Sequence, residues 1–175
     1  MNKAFAVAAM VAMLAPCTVF ADPPKLLRVT ESVTIKAPVD RVWAAVKNFD
    51  SLDKWHPGFS KDEIIKGTNN RPGAVRALTI KDGPTLKEEL LAYSGAQHFF
   101  RYKIIESPLP ITGYVSTVSV KAGKDGTTVV RWVGSFKRKN PADNPPAGED
   151  DAGAIKLITG VYQGGLANLK KMNEG

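Results

Sequence analysis

The chain is poor in the residues that build most metal and nucleophile sites. It has one cysteine and two histidines in 175 residues. A lone Cys17 leaves no internal disulfide and no thiolate metal cluster. His56 and His98 lie far apart and form no recognisable metal motif, so no metal or cofactor is expected. There is no nucleophile elbow, glycine-rich phosphate loop or dinucleotide fingerprint. No segment interleaves basic and aromatic residues as nucleic-acid readers do, and no apolar run is long enough to span a bilayer. Nucleic acid and stable membrane insertion are therefore excluded as partners. What is abundant is positive charge: 24 Lys and Arg face 17 Asp and Glu, for a formal +7. The cations are scattered, which suits either general solubility or an acidic partner, protein or lipid.

The first residues read as a leader. Lys3 gives a short positive region, Ala4 to Leu14 an apolar run, and Val19-Phe20-Ala21 a small-residue cleavage site. Residues 1–21 are thus expected to be a cleaved signal peptide, and the protein to be periplasmic. A lipid anchor at Cys17 is the alternative, and Pro16 just before it argues against that. Cleavage would remove Cys17 and lower the charge by one through Lys3. Residues 22–175 are enough for one well-buried domain and not for two.

The stretch Ile35–Pro57 organises the rest of the chain. Val39, Val42, Trp43, Val46 and Phe49 recur at helical spacing, with Pro38 suited to a first helical position. Asp50 or Ser51 can cap a second short helix through Leu52 to Trp55, stopped by Pro57-Gly58. Almost everything else alternates with period two. Strands are expected near Arg28–Ile35, Phe59–Lys66, Gly73–Ile80, Thr85–Tyr93, His98–Ile104, Tyr114–Val120 and Val130–Phe136. Asp82-Gly83 and Lys124-Asp125-Gly126 read as turns between them. The segment Asn140–Gly148 is a loop because its three prolines forbid a regular element. A final helix comes after it, with Ile155, Ile158, Tyr162, Leu166 and Leu169 as its apolar stripe. It also carries Gly153, Gly160, Gly164 and Gly165, each costing roughly 1 kcal/mol against alanine. Either these glycines allow close packing, or they leave room for a ligand.

These elements assemble economically as an α+β fold in which a seven-stranded curved antiparallel sheet wraps the long C-terminal helix. Such an arrangement tends to leave a cavity lined by the inward residues of each strand. Polar residues on that face would be Glu31, Arg76, Glu88 and His98, with Trp55 and His56 near the mouth. Leu78, Tyr102, Tyr114, Ser116, Trp132, Phe136 and Tyr162 would complete the wall or serve as core. A carboxylate or imidazole there can work as a general base, whereas the structural reading pairs Arg76 with Glu88 or Glu31.

The segments APVDRVWAAVKNFDSLDKWHPG, PGAVRALTIKDG, EELLAYS and RYKIIESPLPITGYVSTVSV resemble the SRPBCC superfamily. This is the helix-grip fold of START lipid carriers, birch-pollen allergens, polyketide cyclases and plant abscisic-acid receptors. The leader, ESVTIKAPVDRVWAAVKNFDSLDKWHP and NPPAGEDDAGAIK are most similar to the exported MxaD-like branch of methylotrophic bacteria. The resemblance implies a periplasmic accessory that assists electron transfer from methanol dehydrogenase to its cytochrome c, with a small hydrophobic molecule as the cavity's occupant. By the same resemblance, Glu88, Tyr102, Tyr114 and Ser116 match positions that touch ligand in the plant receptors. Ser94 replaces an aspartate of the family, and Lys81-Asp82-Gly83-Pro84 lacks the leucine and alanine of the receptors' gate, which speaks against hormone-type gating. Two further functions stay open: a carrier of lipid or isoprenoid, and a cyclase or dehydratase using Glu88, Arg76 or His98. No catalytic residue is assigned.

Overall fold

The computed structural model describes residues 24–175; the expected signal peptide, residues 1–21 with Cys17, lies outside the described residues. The chain runs β1 (Leu27–Ile35), α1 (Val39–Val46), α2 (Leu52–Trp55), β2 (Phe59–Lys66), β3 (Val75–Ile80), β4 (Thr85–Ser94), β5 (Phe99–Glu106), β6 (Ile111–Ala122), β7 (Thr128–Arg138) and α3 (Asp151–Glu174). The seven strands form one antiparallel sheet in the order β1-β7-β6-β5-β4-β3-β2. This is the expected helix-grip architecture. β1 and β2, neighbours in sequence, occupy opposite edges, so α1 and α2 carry the chain across the concave side of the sheet.

Period-two patterning explains which faces are covered. Along β7, Val130, Trp132, Phe136 and Arg138 are buried, while Arg131 and Lys137 between them are exposed. β6 repeats this with Tyr114, Ser116, Val118 and Val120 inward. Asp82 and Asp125 adopt positive φ (57° and 53°) in the hairpin turns, a conformation that aspartate tolerates. His98 also has positive φ (51°), so β5 starts at Phe99 and the turn carries His98 out of the strand's alternation.

Pro38 stands just before α1 with extended ψ, acting as its cap rather than its first residue. Ser51 occupies the cap of α2, but its hydroxyl donates to the Asn48 carbonyl (2.7 Å). The free Leu52 N–H donates instead to Asp62 Oδ2 of β2 (2.9 Å), so the capping oxygen comes from across the fold. Asp150 caps α3 in the usual way by accepting from Gly153 N–H at 2.7 Å.

α3 packs on β1 and β7 and touches α1 and α2; it does not sit over the middle of the sheet. Its buried side carries Ala154, Ile158, Tyr162, Leu166 and Leu169. Ile155 is the exception to the expected stripe: it is 39% exposed, and Ala154 takes the inward place. The C-terminal end is tied to β1, where Lys36 N–H donates to Glu174 Oε1 (2.6 Å) and Lys170 Nζ to the Thr34 carbonyl (3.1 Å). At the other end Arg138 holds the proline loop by donating to the carbonyls of Asn140 and Ala142. With α3 fixed over one side of the sheet, the concave surface of β3–β5 is left without a helix above it.

Candidate functional site

That uncovered surface forms a cavity of about 890 Å³. Its wall is the inward parity of successive strands: Leu78 and Ile80 from β3, Leu86 and Glu88 from β4, Tyr102 and Ile104 from β5, then Tyr114 and Trp132. α3 contributes Ile158, Val161, Gly160 and Gly164, and the mouth is framed by Pro57, Gly58, Leu109, Pro110 and Lys156. The lining is mostly apolar. A volume of this size is in the range of small-molecule sites.

The four helical glycines divide into two kinds. A Cβ at Gly165 would stand 2.5 Å from His56 Cδ2 and 3.1 Å from the rings of Trp132 and Trp55; one at Gly153 would meet the Gly148 backbone at 2.5 Å. These two permit close packing. At Gly160 and Gly164 nothing lies within 4 Å of a Cβ, and both border the cavity. There the missing side chains leave space.

Beside the cavity lies a buried ionic cluster. Arg76 donates to Glu88 Oε2 from Nε (2.8 Å) and Nη2 (2.5 Å), to Asp62 Oδ2 from Nη1 (3.0 Å), and to the Phe49 carbonyl. Its guanidinium also lies 4.2 Å over the Phe49 ring. Burial works to lower the Arg76 pKa, but Glu88 and Asp62 outweigh it and raise it. Burial pushes both carboxyls upward, opposed by Arg76. Two carboxylates thus share one guanidinium, whose charge is committed to them through Glu88 Oε2 and Asp62 Oδ2.

His56 is a latch. Its Nε2 donates to the Val161 carbonyl (2.7 Å) of α3, and its Nδ1 accepts from Gly58 N–H (3.0 Å). Both ring nitrogens are committed in the neutral form. Burial lowers its pKa, against the pull of the Val161 carbonyl.

A hydroxyl cluster closes the inner end. Trp132 Nε1 donates to Tyr102 Oη and Ser116 Oγ (both 3.0 Å), Tyr114 and Tyr162 hydroxyls are 2.8 Å apart, and Ser116 Oγ is 2.9 Å from Tyr162 Oη. Trp132 and Tyr162 stack at 4.4 Å. Burial raises the pKa of all three tyrosines, Tyr102 to about 12. A Cβ at Gly134 would overlap the Tyr162 hydroxyl, so that glycine makes room for the cluster.

Of the residues singled out from sequence, His56, Leu78, Glu88, Tyr102, Tyr114 and Trp132 line the cavity. Arg76, Ser116 and Tyr162 lie behind its wall in the two polar clusters. Trp55 packs against Trp132 (5.5 Å), and Phe136 stacks beneath Tyr114 (6.2 Å). Glu31 is on β1 opposite Trp132, at the far edge of the sheet from Arg76, so the pairing of those two is ruled out by topology. His98 stacks on Trp43 (5.2 Å), under α1 and away from the cavity. Sequence reasoning misses Asp62, whose only signal is its alternation with Ile64 on β2. For Gly160 and Gly164 it favours close packing over open space, and the structure shows open space. Among the described residues there is no group of His, Cys, Asp and Glu placed to hold a metal, and no helix long and apolar enough to cross a membrane.

Comparison with known proteins agrees with this architecture. A family profile described as polyketide cyclase / dehydrase and lipid transport matches residues 27–174. The solved structure of protein XoxI from Bacillus cereus superposes with a TM-score of 0.73 at 31% identity, over 83% of this chain and 94% of that one. The abscisic acid receptor PYL10 of Arabidopsis thaliana is 31% identical over 103 residues, 55% of this chain and 56% of the receptor. The chain therefore spans little more than half the length of that relative. MLP-like protein 423 of the same plant is 27% identical over 131 residues, 69% of this chain and 83% of its own length.

Proposed function

Because the chain belongs to the polyketide cyclase / dehydrase and lipid-transport family, we propose that it binds one small apolar molecule in the cavity between α3 and β3–β5. The observation that carries this reading is an apolar space of about 890 Å³ that α3 borders with two glycines instead of filling. A packed interior closes such voids, since each leaves its lining short of contacts. The ionic cluster and the latch support binding rather than turnover. The charge of Arg76 is already offset by Glu88 and Asp62, and both nitrogens of His56 are engaged. Native mass spectrometry of the protein after exposure to a bacterial lipid extract tests the reading. A single-stoichiometry apolar adduct is expected, and it should disappear in Gly164→Leu, whose side chain would enter the cavity. A folded protein that takes up nothing refutes it.

The leader and the MxaD-like motifs support a narrower role. In it the protein is exported to the periplasm and assists transfer from a dehydrogenase to its cytochrome c, the formal charge of +7, lowered by one when Lys3 leaves with the leader, favouring acidic surfaces. Added protein should then speed dehydrogenase-to-cytochrome transfer in an assay at low salt, and the gain should fade as salt is raised. An unchanged rate at low salt removes the role and leaves the binding reading standing.

A further inference from the structure

The polar groups on the deep wall of the cavity specify more than an apolar occupant. Glu88 and Tyr102 are diagonal neighbours on one face of the sheet, since Glu88 pairs with Ile104 and Tyr102 with Leu90. Both line the cavity and both are almost wholly buried, Glu88 at 4% exposure and Tyr102 at 1%.

Counting donors fixes what each has left to offer. Ser116 Oγ donates to the Val133 carbonyl (2.9 Å), so at its contact with Tyr162 it must accept. Tyr162 therefore donates to Ser116, and Tyr114 donates to Tyr162. The Tyr102 oxygen already accepts from Trp132 Nε1. Its own proton has only Tyr114 Oη, 3.5 Å away and at the limit of a hydrogen bond. Tyr102 thus presents an unspent donor. On the other side, both Arg76 bonds to Glu88 end on Oε2, and Glu88 Oε1 has no hydrogen-bond partner among the described residues. Glu88 presents an unspent acceptor.

One donor and one acceptor, side by side in an apolar chamber, match a group that both accepts and donates. Resting on the reading of the cavity as a binding site, we propose that its occupant is an apolar molecule with a neutral hydroxyl at its deepest end. That hydroxyl donates to Glu88 Oε1 and accepts from Tyr102. A carboxylate placed there would face the Glu88 carboxylate with no uncommitted cation nearby: Arg76 is spent, and Lys156, the one cation among the lining residues, is exposed at the mouth. An ether or ketone could accept from Tyr102 but would leave Glu88 Oε1 dry and unpaired.

The test is calorimetric titration of the full mature protein at pH 8 with decan-1-ol, decanoate and methyl nonyl ether. Decan-1-ol should bind more tightly than either analogue by about tenfold, the factor that one net hydrogen bond is worth. Glu88→Gln should narrow the gap between alcohol and decanoate, and Tyr102→Phe should weaken the alcohol by a similar factor, near-UV circular dichroism confirming the fold of each. If a variant fails to fold, the wild-type ratios still decide. Decanoate or the ether binding as tightly as the alcohol overturns the hydroxyl assignment while leaving the cavity reading intact. No binding by any of the three removes both.

Discussion

Two adjacent glycines in α3 should respond to the same substitution with opposite sign. Alanine in a helix interior is favoured over glycine by about 1 kcal/mol, because glycine loses more backbone freedom on folding. At Gly164 nothing stands within 4 Å of the new methyl group, so that gain is kept. Gly164→Ala should be more stable by about 1 kcal/mol, a rise in Tm of about 2–4 °C for a domain of this size. At Gly165 the same gain meets His56 Cδ2 at 2.5 Å and the rings of Trp132 and Trp55 at 3.1 Å. His56 cannot easily retreat, since Nε2 is tied to the Val161 carbonyl and Nδ1 to Gly58 N–H. Overpacking of this kind costs roughly 1–3 kcal/mol, which leaves Gly165→Ala less stable than wild type by about 1 kcal/mol. The two variants should therefore differ by about 2 kcal/mol in urea unfolding followed by tryptophan fluorescence and far-UV circular dichroism. Equal stabilities, or the reverse order, would refute the assignment of Gly164 to open space and Gly165 to close packing.

The remaining predictions concern the polar clusters. For His56 the folded pKa is lowered, so the unfolded chain binds more protons just below the ordinary histidine value of about 6.5. Its contribution is present above that value and lost as pH falls through the folded pKa. Urea midpoints should accordingly drop less between pH 7 and pH 5 in His56→Gln than in wild type; parallel drops would show that the latch does not titrate. Arg76→Met strands two buried carboxylates and should cost about 3–5 kcal/mol. Its deficit should shrink as pH is lowered, because protonation of Asp62 and Glu88 then removes the unpaired charge, and a deficit that is flat with pH would contradict the cluster's charge state. Gly134→Ala pushes a methyl group into the Tyr162 hydroxyl and should destabilise by about 1–3 kcal/mol. Removing that hydroxyl with Tyr162→Phe should recover part of the loss, and a double-mutant cycle with no coupling would place the clash elsewhere.

Much of the fold could be read locally. β2 and α2 have the bounds that alternation and turn residues imply, Phe59–Lys66 and Leu52–Trp55. The inward sets Leu78–Ile80 and Tyr102–Ile104 follow from parity alone and do line the cavity. The same rule misplaced His98, because a positive φ ends the alternation one residue before β5 begins. It set Ile155 on the buried stripe of α3, where the smaller Ala154 faces inward. It also gave Glu31 and Glu88 equal standing as partners for Arg76. Only the strand order separates them, placing β1 at one edge of the sheet and β3 beside β4 near the other. Asp62, which completes the ionic cluster and caps α2, has no short-range signal stronger than that of any polar residue in an edge strand.

What the sequence alone determined is the alternation of each strand, the helical faces, the turns and the family resemblance, because these depend on covalent geometry repeated over a few residues. What only the tertiary structure decided is how far each inward residue lies from its neighbours. It pairs β1 with β7, seats α3 over that side of the sheet, spends Arg76 on Glu88 and Asp62, and sorts four helical glycines into two that touch and two that do not. The reason is that packing and voids arise between segments distant in the chain. Two glycines with the same local preferences differ when one faces an indole and the other faces empty space.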